Sequence, residues 1–237
     1  MKILRITGTW LVITLILGAV LATSQSLAGS VEGEKIFKGK GCGGCHALTG
    51  PAKVKSIQDR LKRKGPDLWF AGSKFKEKWL NEWLKKPVAI RGVKWGTLEI
   101  GNEKHAGLSK NEAREVAAYL MTLVDKYTAK GVIKEGKKLS RSKRLKAKRL
   151  FEKKQACYSC HKTPVKKRKK VLRVIGGFTG PTFVDAGKRL RGDWIYSFLK
   201  EPQSYEPFGR MPVYGDKVQD KFSDKDLKLL AGYLLTF

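Results

Sequence analysis

The sequence predicts an all-α fold built as two tandem helical domains. A shift of 115 residues, the separation of Cys42 from Cys157, lays one half of the 237-residue chain on the other. Apolar and aromatic residues recur at helical spacing in both halves, and long runs of alternating apolar and polar residues are absent, which argues against a sheet. Self-similarity over this length means two copies of one domain of roughly a hundred residues each.

The superposition needs no gap through the middle of the repeat. Gly65-Pro66 falls on Gly180-Pro181, Ala71-Gly72 on Ala186-Gly187, Trp79 on Trp194, Leu84 on Leu199 and Pro87 on Pro202. Near the ends the shift becomes 114 residues, pairing Phe37 with Phe151, Leu108-Ser109 with Phe222-Ser223, and the closing Tyr119-Leu120 with Tyr233-Leu234.

Taken in order, residues 1–28 read as a secretory signal peptide. Lys2 and Arg5 precede the apolar run Trp10 to Ala22, and Ser26-Leu27-Ala28 offers small residues where a signal peptidase cleaves. The run is shorter than the roughly 20 residues of a membrane span. The alternative is an uncleaved N-terminal membrane anchor. The first domain is expected at 29–127, a basic linker at 128–142 and the second domain at 143–237.

Glu34 to Lys40 and Lys143 to Lys154 read as short helices. Longer ones are expected over Lys74 to Lys85 and Arg189 to Lys200, stopped by Pro87 and Pro202. Ser109 with Glu112 is a capping-box pattern for the closing helix of the first half, and Ser223 with Asp226 an acidic variant in the second.

The chemistry lies in two pentads, Cys42-Gly43-Gly44-Cys45-His46 and Cys157-Tyr158-Ser159-Cys160-His161, which use every cysteine in the chain. C-x-x-C-H is the attachment pattern of c-type haem: two thiols on one turn add to the vinyl groups of one porphyrin, and the histidine binds its iron. Two covalently held haems therefore follow, with His46 and His161 as iron ligands and no cysteine left for a disulfide. A zinc ribbon would want its cysteine pairs about 15–20 residues apart. Here more than a hundred residues separate them. Haem also supplies the apolar core that so small a domain otherwise lacks.

In both halves the order is Phe, C-x-x-C-H, Gly-Pro, Ala-Gly, a Trp-bearing helix ending at Pro, a loop, and a final helix with Tyr-Leu. Each half thereby resembles a class I cytochrome c, over nearly all of the chain after the leader. The resemblance implies a helical domain wrapped around one haem, a proline carbonyl (Pro66, Pro181) accepting from the ligand histidine, and a sixth ligand from the later loop. For the second haem it points to Met211, within Gly209-Arg210-Met211-Pro212. The first half departs from the pattern: no methionine occurs between Pro87 and Leu120, and His105 is the one histidine outside the pentads. His105 reads as the sixth ligand of the first iron. The plain alternative is a solvated surface histidine there, and the other candidate ligand is Met121, which sits opposite Leu235 where a core role is the simpler reading.

The formal net charge is +29, with basic residues densest between Lys130 and Lys170. Such density suits nucleic acid or an anionic membrane in other settings. For an exported haem protein it suits acidic redox partner proteins, steering their encounter, with solubility as the plain alternative; nucleic acid is not an expected partner, and a membrane only if the leader is retained. The leading functional reading is a periplasmic dihaem carrier of single electrons, without catalytic side chains. The alternatives are an oxidoreductase whose first haem acts on a small anion such as a sulfur compound, and an electron-entry subunit anchored in a membrane.

Overall fold

The computed structural model describes residues 29–237 except 52, 96, 98, 102, 103, 168, 169 and 215–221. The expected signal peptide at 1–28 lies outside the described residues. The first half runs α1 (29–39), α2 (Ile57–Leu61), α3 (Ala71–Lys74), α4 (Glu77–Lys85) and α5 (Lys110–Thr122). The second runs α6 (Arg141–Arg149), β1 (Thr163–Lys167), β2 (Lys170–Ile175), α7 (Ala186–Arg189), α8 (Gly192–Lys200) and α9 (Asp224–Leu234). Among the described residues no helix is long and apolar enough to cross a membrane.

Each half closes its opening helix against its last one. Phe37 of α1 is buried against Tyr119 of α5, with ring centres 5.8 Å apart. Phe151, in the π turn Leu150–Lys154 that continues α6, is buried against Tyr233 at 5.8 Å and Phe237 at 5.6 Å. The next short helix tucks its second residue under the chain end. Gly72 N–H donates to the Leu123 carbonyl at 2.8 Å, and Gly187 N–H to that of Phe237 at 3.2 Å. A Cβ there would come within 2.2 Å of the Met121 oxygen or 2.0 Å of the Leu235 oxygen, so only glycine allows the approach. Ser109 and Ser223 cap α5 and α9, each accepting from the N–H three residues on, and Glu112 completes the capping box.

The structure corrects two expectations. The helices expected over Lys74 to Lys85 and Arg189 to Lys200 start later, at Glu77 and Gly192, because Lys74 and Arg189 instead end the short helices α3 and α7. Phe75 (φ −98°, ψ 151°) and Leu190 (φ −108°, ψ 148°) leave the helical region and pair with each other as an isolated antiparallel bridge. Tertiary pairing overrides helix propensity there. The chain is not purely helical, because β1 and β2 form an antiparallel hairpin with a register shift after Val165. Ser140 caps α6, which opens the second half.

The connection between halves is not a loose tether. The Asp193 carboxylate accepts the N–H groups of Gly131 and Ile133, both at 2.7 Å, and Ser197 accepts that of Ala129 at 2.9 Å. Glu135 pairs with Lys76 at 2.7 Å. Trp69 of the first half stacks on Tyr205 of the second, and Phe70 belongs to the second half's core. The two halves therefore share a packed, hydrogen-bonded seam.

Candidate haem-binding sites

Each pentad is a single turn set up by a left-handed residue. Gly41 (φ 67°) ends the first helix and Ala156 (φ 44°) the α6 extension. The turns Cys42–Gly44 and Cys157–Ser159 follow, with His46 and His161 N–H groups donating back to the Cys42 and Cys157 carbonyls at 3.1 and 3.2 Å. This folding places two thiols and an imidazole on one short surface. Cys42 and Cys157 are half-buried, Cys45 and Cys160 exposed. Burial pushes the Cys157 thiol up to about 11 and raises Cys42. A protonated thiol is a poor metal ligand or dithiol nucleophile at neutral pH. Among the described residues no three His, Cys, Asp or Glu side chains are grouped as a metal cage.

The Gly-Pro step returns beneath each imidazole. Gly65 and Gly180 let the backbone approach so closely that a Cβ would lie 2.9 and 2.6 Å from the His46 and His161 rings. His46 Nδ1–H donates to the Pro66 carbonyl at 2.8 Å, and His161 Nδ1–H to Pro181 at 2.6 Å. A carbonyl on one ring nitrogen fixes the tautomer and leaves Nε2 as the lone-pair nitrogen. Burial lowers both imidazoles, His161 to about 4, with Arg91 and Arg189 adding to that shift and His105 to that of His46. Both rings are thus neutral at pH 7, the form that binds a metal.

Across from His46 stands His105, which is exposed. The two ring centres are 6.1 Å apart. His105 Nδ1 is 2.9 Å from the Ala106 carbonyl, so its Nε2 is likewise the free nitrogen. Imidazole nitrogens sit about 2.0–2.1 Å from a bound first-row metal and roughly 1.1 Å from their ring centre, so one ion between two imidazoles sets the centres roughly 6 Å apart. The spacing of the first pair, at 6.1 Å between ring centres, matches that expected of two imidazoles sharing one metal ion. In the second half, Phe183 stacks on His161 at 4.3 Å and 16°. Met211 packs half-buried on the core that Cys157 and Phe183 also line, and Tyr214 is buried in that core, its hydroxyl raised to about 12 by burial first and then by the two pentad thiols. The methionine loop thus folds onto the pentad's own core. Met121 packs on the first core.

Three neighbours escaped the sequence reading. Trp83 lies 4.9 Å from His105, its indole N–H tied to the Val88 carbonyl at 2.9 Å. Its four-residue spacing from Trp79 in α4 was legible as a helix face, but the loop carrying His105 could not be placed on it. Phe183, stacked on His161, and Tyr214, packed on Phe222 in the second core, are the others.

Residues 30–124 match the cytochrome c family. That stretch of the chain is a cytochrome c domain, and the family binds haem c covalently and works by haem-based electron transfer. The domain includes Cys42, Cys45, His46, Pro66 and His105. No curated protein and no solved structure matches the chain.

Proposed function

We propose that the chain is a dihaem c-type cytochrome, two tandem domains carrying single electrons between redox partners outside the cytoplasm. The observation that carries this reading is the 6.1 Å spacing of His46 and His105, each with Nδ1 engaged. His46 and His105 would both ligate an iron held between them, and such a centre would keep no open position for a substrate. Haem, when bound, supplies the one-electron couple. The chain's own work is to hold it. Cys42, Cys45, Cys157 and Cys160 would form the thioether links, His46 and His161 would each give one iron ligand with Pro66 and Pro181 orienting those rings, and His105 and Met211 would supply the second ligands.

Support for the second haem is that residues 141–237 repeat the same turn, the same glycine contact and the same imidazole-to-proline bond. A thioether ligand raises an iron's potential relative to imidazole. The first haem is therefore the lower-potential centre, and electrons run from the first domain to the second. The exposed lysines around the second pentad, among them Lys153, Lys154, Lys162, Lys166 and Lys167, suit an acidic redox partner. The basic leader before an apolar run supports export to the periplasm.

The test is a spectroscopic redox titration with paramagnetic resonance of the oxidised protein. Two low-spin haems, bis-histidine at lower potential and histidine–methionine at higher, are the expected result. A high-spin first haem that readily takes cyanide would overturn the carrier reading in favour of an enzyme.

A further inference from the structure

Residues related by the 115-residue shift meet one another across the seam. Lys76 N–H donates to the Arg189 carbonyl at 2.9 Å, and the shifted counterpart of that bond, from Arg191 N–H to the Lys74 carbonyl, is also 2.9 Å. The Lys74 ammonium sits 4.6 Å over Trp194, while the Arg189 guanidinium sits 5.9 Å over Trp79. Contacts that come in such exchanged pairs mark an isologous interface with a local two-fold axis. Two positions meet their own counterparts: Phe75 faces Leu190, and Arg91 pairs with Glu206 at 3.5 Å.

A residue on such an axis faces itself when the two copies are identical. Arginine would face arginine there, at a cost. In this chain the axial pair has opposite charges, and Glu206 also binds Arg60, whose side chain is only 6% exposed. We propose that the seam is a self-complementary docking surface in which the Arg91/Glu206 pair makes each half select the other half rather than its own kind. The partner that fits the face carrying Phe75, Trp79 and Arg91 is the face carrying Leu190, Trp194 and Glu206 of the same chain. Two first halves would oppose Arg91 to Arg91. Two second halves would oppose Glu206 to Glu206. Repulsion against the wrong pairing is as much a source of specificity as attraction in the right one. The inference rests on the two-domain reading, and it gives that reading a consequence: the two redox sites keep a fixed relation without a separate docking step.

The experiment uses the full haem-loaded chain with a protease site placed within residues 136–138. After cutting, the halves are expected to co-elute one to one. When cut protein bearing a C-terminal affinity tag is mixed with untagged cut protein, the tag should retain first halves and no untagged second halves. Glu206→Arg should weaken pairing so that the cut halves separate, and adding Arg91→Glu should restore it in part, Arg60 still opposing the new arginine. Free separation of the unsubstituted cut halves, retention of untagged second halves, or unchanged pairing in Glu206→Arg overturns the proposal; should Glu206→Arg not fold, the tag experiment still decides. Haem content read from the spectrum keeps the two readings apart. Lost pairing with both haems intact sinks only the docking surface, whereas a missing second haem sinks only the dihaem reading.

Discussion

Below the two imidazoles the halves are alike. His46 and His161 reach proline carbonyls at 2.8 and 2.6 Å, each approached by a glycine that leaves no room for a side chain. Above them the halves part. The first presents His105, steadied by the Trp83 ring and the Ala106 carbonyl; the second presents a loop with Met211 and Tyr214 on a larger aromatic core. The lower face is built from a pentad and a turn twenty residues later, so a duplicated sequence reproduces it. The upper face depends on where a long loop lands, and there the two halves differ.

Exchanging the upper ligands is the strongest way to break this contrast. His105→Met should raise the first haem's potential, and Met211→His should lower the second's. Each shift is expected on the order of 0.1 V, a fraction of the roughly 0.8 V that axial ligation spans. Equilibrium redox titration of each variant measures it. If either substitution leaves both potentials in place, the ligand assignment for that half is wrong.

A subtler contrast sits at the seam, where Lys74 and Arg189 occupy corresponding positions. The Lys74 ammonium is enclosed by Phe70, Phe75 and Trp194 at 5.5, 5.0 and 4.6 Å. Burial lowers it from 10.5 to about 7, with Glu206 opposing the shift and Arg189 and Arg91 adding to it. Arg189 falls only to about 10, again through burial, and stays charged at neutral pH. Between about pH 7 and 10.5 the unfolded chain holds more protons at Lys74 than the folded one, so this group makes stability rise with pH across that window. Below about 7 both states carry the charge, and the burial cost is fully felt. Urea midpoints at pH 7 and pH 10 should therefore differ in wild type in favour of pH 10. Lys74→Met should flatten that slope, whereas Arg189→Met should leave it rising.

Much of this organisation was legible in the chain. The pentads, the Gly-Pro steps, the serine caps and the paired phenylalanines are short patterns whose geometry is local, and the repeat doubled each signal. His105 was legible by elimination, being the sole histidine outside the pentads. The breaks at Phe75 and Leu190 were not, because each is extended only through its pairing with the other, 115 residues away. The hairpin was hidden by its own charge. Val171, Leu172, Val174 and Ile175 carry strand propensity, but Arg168 and Lys169 between the strands give none of the Asn-Gly chemistry that announces a turn. The Arg91–Glu206 pair was visible only as two unlike residues at corresponding positions.

The smallest expected difference lies where each helix turns into its pentad. Gly41 adopts φ 67° freely, whereas Ala156 holds φ 44° with a Cβ that opposes it. The left-handed conformation costs a residue with a Cβ roughly 1–2 kcal/mol. Gly41→Ala should therefore destabilise the first half by about 1 kcal/mol, and Ala156→Gly should leave the second half stabilised by a few tenths to about 1 kcal/mol, the glycine's added freedom when unfolded offsetting part of the gain. Thermal unfolding of the two variants beside wild type measures both. Opposite signs support a strained entry to the second pentad alone; equal signs would show that the two turns, despite one pattern, are not held in the same way.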